Sequence, residues 1–125
     1  MRCFYDPVQR AHAPAHELHN GGFTAYAETP ARIDAILRGI GAVEAPADHG
    51  EAPILAVHSA AYIDFLKTAA ARWRKAGRPG DAIPYAFPVR GRRPLPLDRI
   101  DALMGAHSFD ATTPITAESW AASYG

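Results

Sequence analysis

The chain has 125 residues, 48% hydrophobic and 21% charged, proportions that fit one ordinary globular unit. Thirteen basic and thirteen acidic residues cancel, so no net field gathers nucleic acid or an anionic membrane, and neither is expected as a partner. Cys3 is the single cysteine, which excludes an intramolecular disulfide and a cysteine-rich zinc site; no apolar run has the length of a signal peptide or a membrane span, and a cytoplasmic protein is expected.

Arg2 to Tyr5 reads as a short buried strand, with Cys3 inside it and Asp6-Pro7 stopping the ladder. From Val8 to Tyr26 histidines, Pro14 and the Gly21-Gly22 pair break any helical period, which predicts a long loop. Thr29 then supplies an N-cap before Pro30, and Ile33, Ile36, Leu37 and Ile40 recur at helical spacing, so a helix is predicted from about Pro30 to Arg38 or Gly39. Val43 to Pro46 reads as a second strand. Glu51 to Val57 reads as a short helix. Ser59 caps a longer one whose apolar face is Tyr62, Ile63, Phe65, Leu66, Ala69, Ala70 and Trp73, ending at Gly77 behind Arg72, Arg74 and Lys75.

Pro79, Pro84, Pro88, Pro94 and Pro96 fall within eighteen residues and mark a long irregular segment. Asp98 reads as the N-cap of a helical turn reaching Met104 before Gly105. Thr116, Glu118 and Ser119 resemble a further helix start, close to the last residue. The order strand, helix, strand, helices predicts an α/β protein. Two short strands are too few for a sheet with both faces covered, so further strands are expected beyond Gly125.

Three constellations have plainer readings beside the functional ones. His12, His16 and His19 have a spacing that on a helix would suit zinc or nickel, but Pro14 interrupts them and no carboxylate is spaced as a general base, so a histidine-containing loop is favoured. Gly39 and Gly41 follow a helix rather than precede one and lack a third glycine, which makes them a helix stop and not a dinucleotide turn. Arg90, Arg92 and Arg93 read as a solvated loop rim. No serine elbow or activated cysteine is present.

Two segments carry more when taken together. Glu28–Leu37 resembles the Pro-x-Arg helix start of the histone deacetylase superfamily, and Val57–Leu66 resembles its Val-His-x-x-x-Tyr-x-x-Phe-Leu helix. Trp73–Gly77, Ala86–Arg90 and Ile115–Trp120 further resemble the acetylpolyamine amidohydrolase branch. The resemblance runs through all of residues 1–125. It implies the N-terminal portion of an arginase/deacetylase-like three-layer α/β/α fold with a mainly parallel sheet, with a Pro/Gly-rich insertion loop at about 77–107.

The activity implied is zinc-dependent hydrolysis of acetylpolyamines or similar small cationic acetyl amides. A metal polarises the carbonyl and activates water, histidines move protons and a tyrosine steadies the oxyanion. The resemblance places those residues and the zinc ligands after the region matched, so no catalytic or metal residue is assigned here and the isolated chain is expected to be inactive. Arg32 matches an arginine lining a product channel, where it would pair acetate; a helix-start arginine bonding loop carbonyls is the alternative, and both can hold. Asp110 matches an acidic residue at the pocket mouth, against an ordinary Asx turn. Asp101 matches an acidic residue offered to a neighbouring subunit's tunnel, which implies a homodimer. His58 and Tyr62 match structural positions. His19 stands where relatives carry an aromatic residue. The alternatives are a histone or protein-lysine deacetylase of the same superfamily, against which the insertion argues, and a complete non-catalytic binding module.

Overall fold

The computed structural model describes residues 1–89, 91 and 96–124. Arg90, Arg92, Arg93 and Pro94 of the predicted loop rim and proline-rich segment lie outside the described residues.

A 3-10 helix at Pro7–Ala11 follows Asp6, whose carboxylate caps it by accepting the Val8 N–H at 2.8 Å. Next comes a hairpin, β1 His16–His19 and β2 Gly22–Ala25, paired antiparallel from His16 opposite Ala25 to His19 opposite Gly22. Together they replace the predicted loop from Val8 to Tyr26. The signal was present: Asn20 at φ 50° and Gly21 at φ 78° form the two-residue hairpin turn in which both central residues take positive φ.

Helix α1 spans Ala31–Ile40. The Thr29 side chain does not cap it; Pro30 occupies the cap position without a side-chain bond. Gly41, at φ 77°, ends it with its N–H on the Leu37 carbonyl. None of its residues is buried, and Ile36 and Ile40 are 56% and 43% exposed. The predicted strands on either side of α1 do meet, in parallel, through one bridge between Phe4 and Glu44. Arg2 clamps that bridge by giving two hydrogen bonds to the Glu44 carboxylate, at 2.9 and 2.6 Å. The bridge is not the buried strand expected, however. Phe4 is 52% exposed, with the Arg2 guanidinium 4.9 Å from its ring centroid, and Cys3 is only partly buried.

Helices α2, Ala52–Leu55, and α3, Ala60–Lys75, follow as predicted. Ser59 Oγ accepts the Tyr62 N–H at 3.2 Å, and Gly77 and Arg78 close the other end by bonding the Arg74 and Trp73 carbonyls, a Schellman stop. Its apolar stripe makes the core: Phe65, Ala69 and Trp73 pack with Ala82, Ile100, Met104 and Ile115. Helix α4 runs Ile100–His107 with Arg99, not Asp98, at the cap. Gly105 lies inside α4 instead of ending it, and a Cβ there would strike the Ala86 carbonyl, so glycine is what lets this helix lie on the 86–87 backbone. An antiparallel bridge between Ala82 and Ile115 ties the irregular segment to the approach to α5, Ser119–Tyr124.

The accessible surface is 8588 Å². A compact monomer of 13.4 kDa exposes about 6,500 Å² by the usual scaling with mass. Exposed large apolar side chains, Ile36 and Ile40 of α1 among them, are part of that surface. Among the described residues no helix is long and apolar enough to cross a membrane.

Candidate functional site

Arg32 stands in the first turn of α1, where its guanidinium pairs with Glu28 one turn back; both side chains are more than half exposed. Asp110 stands in the turn between α4 and α5. Its Oδ1 accepts the Thr112 N–H at 2.9 Å and the Thr112 hydroxyl at 2.8 Å. Those bonds, the backbone one first, hold its carboxyl below the usual carboxylate range. The local geometry is thus an Asx turn, with the second oxygen in none of these bonds. Beside it the Ala111 carbonyl accepts the Leu18 N–H at 3.3 Å, so the turn carrying Asp110 is stitched to β1.

Asp101, in the first turn of α4, is the most elaborately held carboxylate. Tyr85 donates to Oδ1 at 2.7 Å, Arg78 to Oδ2 at 2.8 Å and Arg99 to Oδ2 at 3.4 Å, leaving the side chain 15% exposed. The Tyr85 hydroxyl above all, and then Arg78, depress its pKa against the opposing effect of burial. Its bonds therefore all run to its own chain. Neither Arg78, which follows a helix-stopping glycine, nor Tyr85, in the proline-rich segment, has a periodicity that would have marked it in the sequence.

A carboxyl depressed in the folded state contributes stability that is fully present above its open-chain value near pH 4 and is lost as pH falls through the folded value. We expect Asp101→Asn to unfold about 1–2 kcal/mol more easily at pH 7. The gap to the wild type should narrow as pH falls below the open-chain value through the lower, folded one, which urea melts at a series of pH values will check.

His58, just before α3, and Tyr62, in its first turn, belong to one ring cluster. The Tyr62 ring lies 5.4 Å from His58 and 5.6 Å from His107, while His107 stacks on Phe65 at 4.6 Å. His107, unforeseen from the sequence, joins α4 to α3, and burial lowers its pKa. The other histidines are dispersed. His16 and His19 sit three apart on a strand, hence on opposite faces. His12 bonds Ser119 and Tyr26. Among the described residues no group of three or more His, Cys, Asp or Glu side chains is arranged to hold a metal ion, so these residues do not fit a zinc centre.

Between the hairpin and the end of α3 lies an open cleft of about 800 Å³, walled by Leu18, Phe23, Trp73, Ile83 and Tyr85, with His16, Arg78 and Asp81 at its polar edge. A smaller basic depression, about 360 Å³, lies where Arg72, Lys75, Arg78 and Arg99 surround Asp98 and Asp101. Here Arg72, near the end of α3, donates to the Asp98 carbonyl at 2.7 Å.

No protein-family model matches the chain. It is 42% identical over 127 residues to acetylpolyamine amidohydrolase 2 of Pseudomonas aeruginosa, an alignment covering 98% of this chain and 37% of that protein. It is 39% identical to acetylpolyamine amidohydrolase 1 of the same organism, covering 99% and 38%. The crystal structure of an acetylpolyamine aminohydrolase from Burkholderia pseudomallei superposes with a TM-score of 0.81 at 31% identity, over 99% of this chain and 37% of the solved one. The described fold is thus that of part of a deacetylase-like α/β protein, with a small sheet. The chain spans somewhat over a third of the length of the relatives it matches.

Proposed function

We infer the function of this chain from its family, for it is an acetylpolyamine amidohydrolase homologue along nearly its whole length, and we propose that it forms the N-terminal part of a hydrolase that removes acetyl groups from acetylpolyamines or similar small cationic amides. The observation that carries this reading is the agreement of fold and sequence over 98–99% of the chain. In the reaction water adds to the amide carbonyl, the C–N bond breaks, and acetate and a free amine leave. One zinc would supply the Lewis acid, held by residues outside this chain, and the isolated 125 residues would be inactive.

Within that reading Arg32 lines the channel by which acetate leaves. Its pairing with Glu28 supports this, since a guanidinium held at the surface by one carboxylate can exchange it for another. Asp110 serves the pocket mouth, where its second oxygen would meet an ammonium group or an amide N–H. Asp101 lies in the insertion at about 77–107 and would face a second copy of the chain in a homodimer, though its own-chain bonds with Tyr85 and Arg78 mean that it would act there mainly by fixing the shape of the insertion. We place the protein in the cytoplasm, with neither nucleic acid nor membrane as a partner. The surface excess supports a chain that packs against further structure rather than a self-contained binding module.

Acetate release from acetylputrescine and from an acetyl-lysine peptide, measured on the complete protein, tests the reading. Faster turnover of the polyamine, abolished by a zinc chelator and absent from the isolated chain, is expected. A preference for the peptide would instead make it a protein-lysine deacetylase, and turnover by the 125 residues alone would overturn the assignment of chemistry elsewhere. Light scattering on the complete protein should give the mass of a dimer; a strict monomer would remove the role given to Asp101.

A further inference from the structure

Asn20 is the only asparagine in the chain, and the function proposed above makes no use of it. With Gly21 it forms the turn between β1 and β2, at φ 50° and 78°. Both residues are exposed. Among the described residues neither the Asn20 carboxamide nor the Gly21 N–H has a hydrogen-bond partner, and Gly21 has open space where a Cβ would be. An unengaged amide side chain is thus followed by the least hindered backbone nitrogen that a chain can offer.

We propose that Asn20 is a site of spontaneous modification, at which the Gly21 backbone nitrogen attacks the side-chain amide and leaves an aspartate or an isoaspartate at the tip of the hairpin. The Gly21 nitrogen gives its proton to solvent hydroxide and bonds to Asn20 Cγ. The Cγ–Nδ2 bond then breaks, and ammonia departs with a proton returned by water. One water molecule reopens the five-membered succinimide: at Cγ it yields aspartate, and at the backbone carbonyl carbon it yields isoaspartate, in which the chain runs through Cβ and Cγ. The sum is amide plus water giving acid plus ammonia.

Ring closure requires Asn20 to leave the left-handed conformation of the turn, so the hairpin must open first. That opening costs little. Two strands of four residues are marginal by themselves, all of β2 is exposed, and such a ribbon frays from its tip at far less cost than global unfolding.

The two products have different consequences. Asp-Gly suits the same two-residue turn as Asn-Gly, so aspartate preserves the register. Isoaspartate adds a backbone carbon, and a turn built from two residues of positive φ no longer closes His19 on Gly22. The next pair is Leu18 and Phe23, which wall the cleft of about 800 Å³, while the Leu18 N–H bonds Ala111 beside Asp110. Isoaspartate at position 20 therefore loosens both the cleft wall and its stitch to the Asp110 turn, whatever reaction the complete protein catalyses.

Peptide mapping by mass spectrometry tests this on the complete protein, incubated at neutral pH with and without urea. The Asn20 peptide should gain the mass of an amide-to-acid exchange, in the native protein at a rate within about a hundredfold of the unfolded one, as local opening requires. Slower native conversion would overturn the proposal, since the turn would then protect the amide. Asn20→Gly keeps a sequence that suits the turn and has no side-chain amide. It should gain no mass at that position, and its Leu18–Phe23 cross-strand contact in NMR spectra should survive the same incubation. In the wild type that contact should fade in proportion to isoaspartate, distinguished from aspartate by fragmentation. A contact that outlasts conversion to isoaspartate would overturn the loosening of the cleft wall.

Discussion

Replacing Trp73 by alanine should cost about 3–5 kcal/mol of folding free energy, a large part of the roughly 5–15 kcal/mol typical of a whole domain. The indole is 6% exposed in the cluster that joins α3 to α4 and to the Ala82 and Ile115 bridge. A buried tryptophan removes about 150–250 Å² from water, which at roughly 25 cal/mol per Å² is about 4–6 kcal/mol as an upper limit. Its Nε1–H also donates to the Pro79 carbonyl at 3.2 Å, fastening the start of the irregular segment. Trp73→Phe separates the two contributions. It retains most of the apolar burial and loses the hydrogen bond, so it should cost about 1–2 kcal/mol. Urea unfolding of the three proteins measures the difference. If phenylalanine proves as damaging as alanine, the hydrogen bond and not the packing is what holds the segment.

Helix α3 was legible because all its signals agree: a serine cap that does cap, an apolar stripe that is the core, and a glycine that closes a Schellman stop. Elsewhere local signals were weaker or misweighed. The glycines after His19 look like breaks, yet Asn20 and Gly21 are the residues a two-residue hairpin turn requires. The residue types of Arg2 to Tyr5 suit a buried strand, but burial depends on what lies opposite, and Phe4 meets the Glu44 bridge and the Arg2 guanidinium rather than an apolar layer. The candidate site divides in the same way. Sequence resemblance singled out Asp101 and Asp110, whereas the partners Arg78, Tyr85 and Thr112 that set their charge emerge only from tertiary contacts or a local turn. His12 is a further case, since its partner Ser119 is 107 residues away in sequence.

Gly105→Ala is expected to destabilise the protein by about 1–3 kcal/mol, the range for forcing extra volume into a packed interior, although alanine favours a helix by about 1 kcal/mol over glycine. The deciding fact is the neighbour. A methyl group at Gly105 meets the backbone carbonyl of Ala86, which cannot rotate aside as a side-chain tip would. Gly39 provides the matched control: it too lies within a helix, α1, but has open space where its Cβ would be. Gly39→Ala should therefore stabilise by up to about 1 kcal/mol, and the two identical substitutions should move the urea midpoint in opposite directions. The consequence reaches the site, because relieving the clash must shift α4 away from residues 86–87. Asp101 is on the first turn of α4, and Tyr85, its strongest pKa-lowering partner, directly precedes Ala86. The Gly105→Ala protein should thus show an Asp101 carboxyl that titrates nearer its ordinary range, while Gly39→Ala leaves it depressed; NMR titration of that carboxyl distinguishes a strained junction from a merely less stable fold.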